Sequence, residues 1–163
     1  MRRLGGDDAA AIHSLVQDNK AHLTKHGDYF DMVAMSPEAW RKKLASPSHS
    51  ELPMGIFVEA QPIGVATLRC HKRRILGLGY WIDAQSQGKG YVTQACRSLI
   101  DYARDACGAN EVWVGVNPQN APSIAVAKRV GLRLARTQQG HLSYMIKIGR
   151  KWALRRSGSP GLV

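Results

Sequence analysis

At 163 residues, 44% of them apolar, the chain has the size of one domain and can bury a full core, so no second domain is needed. No run approaches eighteen consecutive apolar residues and the N-terminus lacks the apolar centre of a signal peptide, so a soluble, cytoplasmic protein without a membrane partner is expected. The net charge of +11 is uneven, because residues 1–70 carry eight Lys/Arg against eight Asp/Glu and residues 71–163 carry fifteen against four.

Taken in order, residues 1–4 read as the short end of a first strand. Asp7 or Asp8 can cap a helix that puts Ile12, Leu15, Val16 and Leu23 on one face. His22 and His26 stand four apart, but no third ligand accompanies them and no metal site is expected. Next comes a loop with one glycine, two aromatics and two carboxylates, Lys25-His-Gly-Asp-Tyr-Phe-Asp31. Ser36, Pro37 and Glu38 open a second helix, with the serine as cap and Trp40 and Leu44 as its apolar pair. Residues 45–53 are polar and read as a loop, while 54–60 and 63–69 are β-rich runs that make a hairpin around Gln61 and Pro62. His71-Lys-Arg-Arg74 marks a turn, either a solvated tip or a phosphate contact.

Residues 75–82 return as a strand. After the loop that follows, a helix begins at Tyr91, with Val92, Ala95, Cys96, Leu99, Ala103 and Ala106 at core spacing, and stops at Gly108. Cys96 falls on the buried stripe and reads as packing, not as a nucleophile; with Cys70 and Cys107 it makes an odd set with no C-x-x-C pair, expected to be buried reduced thiols. A strand over 111–116, a loop over 117–120 and a helix over 122–130 ended by Gly131 come next. Residues 132–138 and 141–148 close the fold as a hairpin through Gln139 and Gly140. Residues 1–150 thus form one domain, and 151–163, basic and then rich in Ser, Gly and Pro, a flexible tail.

The most informative stretch is residues 79–90, Gly79-Tyr-Trp-Ile-Asp-Ala-Gln-Ser-Gln-Gly-Lys-Gly90, running straight into the helix at Tyr91. First-turn N–H groups lack partners within a helix, and with the dipole and two side-chain-free glycines they make a seat for phosphate oxygens. A plain strand-to-helix turn is the alternative. A dinucleotide fingerprint needs a third glycine where Thr93 stands, and no G-K-[ST] of a Walker loop occurs. Nor does the basic half contain a helix-turn-helix, zinc-ligand or RNP-like pattern, so no nucleic-acid partner is expected.

Gln85-x-x-Gly88-x-Gly90 resembles the Q/R-x-x-G-x-G/A loop of the GNAT acetyltransferases, and Gly79-Tyr-Trp-Ile with Gln87-Gly-Lys-Gly-Tyr91 resembles the RimJ/RimL branch. The likeness continues through Asn120-x-x-Ser123 and Gly131. It implies an α/β (α+β) fold: a mixed, strongly twisted sheet with a central splay and helices on both faces. It also implies acetyl-CoA as cosubstrate. Trp81 and Ile82 would give main-chain contacts to pantetheine or acetyl, and Gln87, Gly88, Lys89, Gly90 and Tyr91 would meet the pyrophosphate. Asn117 and Asn120 would anchor the cofactor arm, or else serve as turn residues.

Acetyl transfer to an amine needs a neutral amine, a polarised carbonyl and a proton for the departing thiolate. The superfamily pattern N-x-x-A-x-x-L-Y-x-x-x-G-F puts Ala127 where its tyrosine acid would be, and Ser123 fills the place of the RimJ/RimL serine, which makes Ser123 the candidate proton donor; capping its own helix is the alternative. Where the branch carries an acid on the fourth strand this chain has Gly77, so the base is open. Asp28, Tyr29, Asp31 and His141 are candidates for the acceptor site. The Trp-rich stretch of the ribosomal-protein enzymes is replaced by His26-Gly-Asp-Tyr-Phe-Asp31, which points to a small cationic amine held by the carboxylates, of aminoglycoside type as in antibiotic resistance. The alternatives are the N-terminal amine of a ribosomal or other protein, and a non-catalytic acyl-CoA-binding module. A homodimer is the family-based expectation.

Overall fold

The computed structural model describes residues 1–138 and 140–149. Gln139 of the expected closing turn and the expected tail lie outside the described residues. The chain opens with β1 (Arg2–Arg3), a two-residue strand, and a 3-10 turn, Gly6–Asp8. Asp8 precedes the first helix but does not cap it: its carboxylate accepts from the Gly5 N–H at 2.9 Å and from Arg2 at 2.8 Å. The Arg2 guanidinium holds that carboxyl below its ordinary value.

Where one helix was expected the chain makes two, α1 (Ala9–Asp18) and α2 (Lys20–Thr24). The break falls at Asn19, whose side-chain amide donates to the Leu15 carbonyl at 2.9 Å, an alternative partner that asparagine offers to helical backbone. A further turn of helix, α3 (Phe30–Val33), comes out of the aromatic loop, and α4 (Pro37–Ala45) starts as its sequence predicts, with Ser36 Oγ accepting from the Ala39 N–H.

The hairpin of β2 (Glu51–Val58) and β3 (Gln61–Lys72) is longer than its apolar runs. Its extra length is held by polar pairing: Glu51 lies opposite Arg69 and bridges it at 2.8 Å, and the Cys70 N–H bonds to the Ser50 carbonyl. His71 therefore belongs to the end of a strand and not to a turn. β4 (Ile75–Ile82), α5 (Tyr91–Asp105), β5 (Glu111–Val116), α6 (Ala121–Arg129), β6 (Arg133–Gln138) and β7 (His141–Lys147) follow.

One sheet collects the strands in the order β1, β2, β3, β4, β5, β7, β6, and every neighbouring pair is antiparallel except β4 with β5. Residue alternation sends two apolar sets to opposite faces. On one face Leu68, Leu76, Leu78, Val112 and Val114 pack against Cys96, Leu99 and Ala103 of α5 and Ala127 of α6. On the other, Val65 and Trp81 pack against Ile12, Val16, Trp40 and Leu44 of α1 and α4. This second layer contains no residue of β5, β6 or β7. Of the three cysteines expected to be buried only Cys96 is; Cys70, near the end of β3, and Cys107, just past α5, are exposed.

The parallel pair positions the site. β4 and β5 are in register only from Ile75 with Glu111 to Gly77 with Trp113. Beyond that point the remainder of both strands, through Ile82 and Val116, is unpaired with the other, so the sheet opens toward their C-terminal ends.

Candidate active site

The opening between β4 and β5 leads into a cavity of about 700 Å³. Its floor is the end of β4 and the residues from Ser86 to Gln94, its far wall Val116 and the start of α6, and its roof His22, His26 and Tyr29. Gly88 and Gly90 have φ of +75° and +82°, the left-handed region in which glycine is least strained, and a Cβ on either would meet nothing in the protein. The space beside them is open for something that is not protein.

The first intrahelical bond of α5 runs from Gln94 N–H to the Gly90 carbonyl at 3.0 Å. The amides of Tyr91, Val92 and Thr93 thus have no acceptor inside the helix, and no acidic residue stands in the first turn. Lys89, Arg97 and Arg129 line the same cavity. Arg97 is fixed by a bond to the Arg129 carbonyl at 3.2 Å. A dianionic or trianionic ligand would fit amides, dipole and cations together. Arg97 and Arg129 were not legible in the sequence because they lie seven and thirty-nine residues beyond Gly90; the basic bias of this half was their only signal.

Ser123 faces this cavity. It does not cap α6, since Asn120 does: the Asn120 Oδ1 accepts from the Ser123 N–H at 3.1 Å. The Ser123 hydroxyl instead lies 3.0 Å from the hydroxyl of Tyr80, which also donates to the Ser123 carbonyl at 3.1 Å. Burial pushes the Tyr80 phenol up, against a smaller lowering by Ser123, so it keeps its proton at neutral pH. When the single Tyr80 proton goes to the Ser123 Oγ, the serine's own O–H is free to turn toward the cavity; when it goes to the Ser123 carbonyl, the serine donates to Tyr80 instead. Tyr80 was legible only as part of the glycine-rich text, because its contact with Ser123 spans 43 residues.

The roof is tied to both sides of the opening. Tyr29 donates its hydroxyl to the Tyr80 carbonyl at 2.7 Å, on the β4 side. Asn117, at the end of β5, gives its amide to the His26 carbonyl at 2.6 Å and accepts from Gln119 N–H at 2.8 Å. Asn117 lines the cavity as expected of a cofactor anchor, yet both its polar atoms are engaged within the protein. Gln87 is joined to His22 at 3.1 Å. Tyr29 adopts φ +63°, rare for a bulky residue, and burial first, then Asp28, raises its phenol to about 12.

A second cavity, of about 560 Å³, adjoins the first across Tyr29, Tyr80 and Trp81. Phe30, Met32, Met35 and Trp40 give it an aromatic and thioether lining. Its charged residues balance, Asp31 and Glu51 against Lys43 and Arg69. Both cations are already engaged: Arg69 bridges Glu51 at 2.8 Å, and the Lys43 ammonium lies 5.8 Å from the centre of the Trp40 ring. The candidate acceptor residues are not gathered here. Asp28 lines the first cavity and Asp31 the second, Tyr29 lies between them, and His141 stands on β7 against Gly115, lining neither. Among the described residues no cluster of three or more His, Cys, Asp or Glu side chains is placed to hold a metal ion.

Two left-handed glycines before a helix start, at the foot of a splayed parallel pair and with a hydroxyl at the far wall, fit the class of acyl-CoA-using transferases. The acetyltransferase (GNAT) domain family matches residues 1–133, and the chain belongs to that family. It is 33% identical over 144 residues to the putative ribosomal N-acetyltransferase YdaF of Bacillus subtilis, spanning 80% of this chain and 75% of that one, and 26% identical over 153 residues to the probable N-acetyltransferase YjcK of the same organism, spanning 83% and 82%. In fold it is similar to the ribosomal-protein-S5-alanine acetyltransferase of Vibrio fischeri, with a TM-score of 0.79 at 20% identity over 93% of each chain. The fold is likewise similar to the RimL ribosomal L7/L12 acetyltransferase in complex with coenzyme A, with a TM-score of 0.77 at 24% identity over 90% of this chain and 92% of that one. The protein is an acetyl-CoA-dependent N-acetyltransferase. No helix among the described residues is long and apolar enough to cross a membrane.

Proposed function

We propose that the enzyme acetylates the N-terminal amine of a polypeptide, within one catalytic domain over residues 1–150. The observation that carries this reading is the balanced, aromatic lining of the second cavity. A polycationic aminoglycoside would call for a wall of unpaired carboxylates, and Glu51 is already bridged to Arg69. A peptide start is a single positive charge on an apolar body, which suits Trp40, Met35 and Phe30 around one exposed carboxylate, Asp31. The relative at 33% identity, described as a putative ribosomal N-acetyltransferase, supports the same acceptor. The aminoglycoside reading keeps one observation of its own: Asp28 and Asp31 stand on the two sides of Tyr29, at the junction of the cavities.

In this reading the amides of Tyr91, Val92 and Thr93, with Gln87, Gly88, Lys89 and Gly90, hold the pyrophosphate, and Trp81 and Ile82 offer main-chain groups to the acyl arm. When bound, acetyl-CoA supplies an activated acyl carbon whose thiol leaves readily. Ser123 gives its proton to that sulfur, and Tyr80 fixes the hydroxyl for the purpose. Asn120 acts by holding the start of α6. The test is thiol release from acetyl-CoA with a panel of N-terminal peptides, polyamines and aminoglycosides. Turnover of peptides alone is expected. Turnover of aminoglycosides alone would transfer the assignment to the second reading, and binding without turnover on any acceptor would leave an acyl-CoA-binding module.

A further inference from the structure

We propose that His71 accepts the proton that the acceptor amine must lose before it attacks. The inference rests on acetyl transfer, not on which amine receives the acetyl group. At neutral pH a typical primary amine is an ammonium with no free lone pair, so a neighbouring group has to take a proton, and imidazole is the side chain that exchanges protons in that range.

His71 reaches the site because the β3–β4 ladder slips between Cys70 and Lys72, where β3 carries one residue more than its partner. A Cβ built on Gly77 would collide with the ring's Nε2 and lie 2.8 Å from its Cδ2, so the imidazole rests over the β4 backbone with Nε2 foremost. Gly77 is also the last β4 residue in register with β5. The ring therefore stands where the two strands begin to part. A cavity of about 180 Å³ opens there between His71, Gly77, Gly79, Trp113 and Gly115. It shares Arg69 and Gly79 with the acceptor cavity, which shares Tyr80 and Trp81 with the cofactor cavity. A Cβ at Gly79 would meet nothing within 4 Å, so the space over β4 at Gly79 is open.

The charged groups nearest the small cavity are engaged. On β3 and β2, Arg69 is bridged to Glu51. On β5, Glu111 accepts from the Trp113 indole at 2.9 Å, and on β6 the Arg136 guanidinium lies 5.6 Å from the centre of the Trp113 ring. On β7, His141 packs its Nε2 over Gly115 much as His71 does over Gly77, from the opposite side of the opening. Glu51 and Glu111 thus have partners and the exposed Asp31 does not line the small cavity, which leaves His71 as its proton acceptor.

The step balances as follows. One ammonium proton passes to Nε2 of His71, directly or through a water. The freed lone pair forms the C–N bond at the acyl carbon while the C–S bond breaks. The second nitrogen proton leaves with the sulfur by way of Ser123, giving amide and free thiol, and the imidazolium returns its proton to solvent.

The experiment compares wild type, H71Q, H71A, H141Q and the double variant H71A/G77E, with acetyl-CoA and a serine-initiated peptide, from pH 6 to 10. H71Q is expected to lower kcat about 10²-fold at pH 7 with the KM for acetyl-CoA unchanged, and to recover as the pH approaches the amine's own titration. In H71A/G77E the removed ring leaves room for a carboxylate from position 77, and at least a tenfold recovery over H71A is expected. Superimposable profiles for H71Q and wild type, or a larger loss in H141Q than in H71Q, would overturn the assignment. Failure of the peptide reading is distinct: wild type then turns over an aminoglycoside or polyamine and not the peptide, and the same comparison is made on that acceptor. If wild type binds acetyl-CoA and turns over no acceptor, both readings fall.

Discussion

The two large cavities that meet at Tyr80 are built from different materials. The first relies on main chain and on residues close in sequence: two left-handed glycines, the open amides at the start of α5, and β4 immediately before them. The second is assembled from side chains of α3, α4, β2, β3 and β4, distant from one another along the chain. A phosphate group can be met by any backbone of the right curvature, whereas an acceptor must be met by particular shapes. The first cavity should therefore be sensitive to backbone changes and the second to side-chain changes.

The sharpest way to break this contrast is Gly90→Val. A β-branched residue at φ +82° costs about 1–3 kcal/mol and crowds the phosphate seat, so calorimetry should find acetyl-CoA bound up to roughly 10²-fold more weakly. Unchanged affinity would mean that backbone is not what holds the diphosphate. Next comes Ser123→Ala, which should lower kcat at least about tenfold while calorimetric affinity for acetyl-CoA changes little. Equal turnover would remove Ser123 from proton transfer and leave its contact with Tyr80 as packing.

A smaller effect is expected of Arg97→Ala. Its guanidinium is exposed, so the loss should be about 1 kcal/mol, roughly fivefold in Kd, and the variant's affinity should fall less steeply with added salt. An unaltered salt dependence would exclude a phosphate contact. Smallest is Tyr29→Phe, which deletes the hydroxyl bonded to the Tyr80 carbonyl across the boundary of the two cavities. About 1 kcal/mol of stability, or some 2–4 °C in Tm, should be lost in a thermal melt. A loss in acetyl-CoA affinity and in acceptor KM together would show that the boundary serves both sides.

The difference between the cavities also explains what could be read from the sequence. Gly88 and Gly90 were legible because a strand, a two-glycine loop and a helix start lie within a dozen residues, and their conformation follows from local sterics. The Ser36 cap was legible for the same reason. The break at Asn19 was not, since helical spacing carries across it and only the side chain's bonds to Leu15 and Ala84 stop the helix. His71 looked like a turn residue because its strand is extended by pairing and not by apolar pattern. Asp28 and Asp31 looked like one acidic cluster, yet the helical turn at α3 sends them to different cavities.

The sequence by itself determined the family and the strand, two-glycine loop and helix start over residues 75–91, each of which depends on interactions within a few residues or on a repeat of apolar positions. Only the tertiary structure decided that Tyr80 meets Ser123, that Asn117 is tied to the roof, and that an imidazole rests over Gly77. Those relations join residues that the sheet brings together across its strands, and no local preference of the chain encodes which partner stands opposite a given side chain.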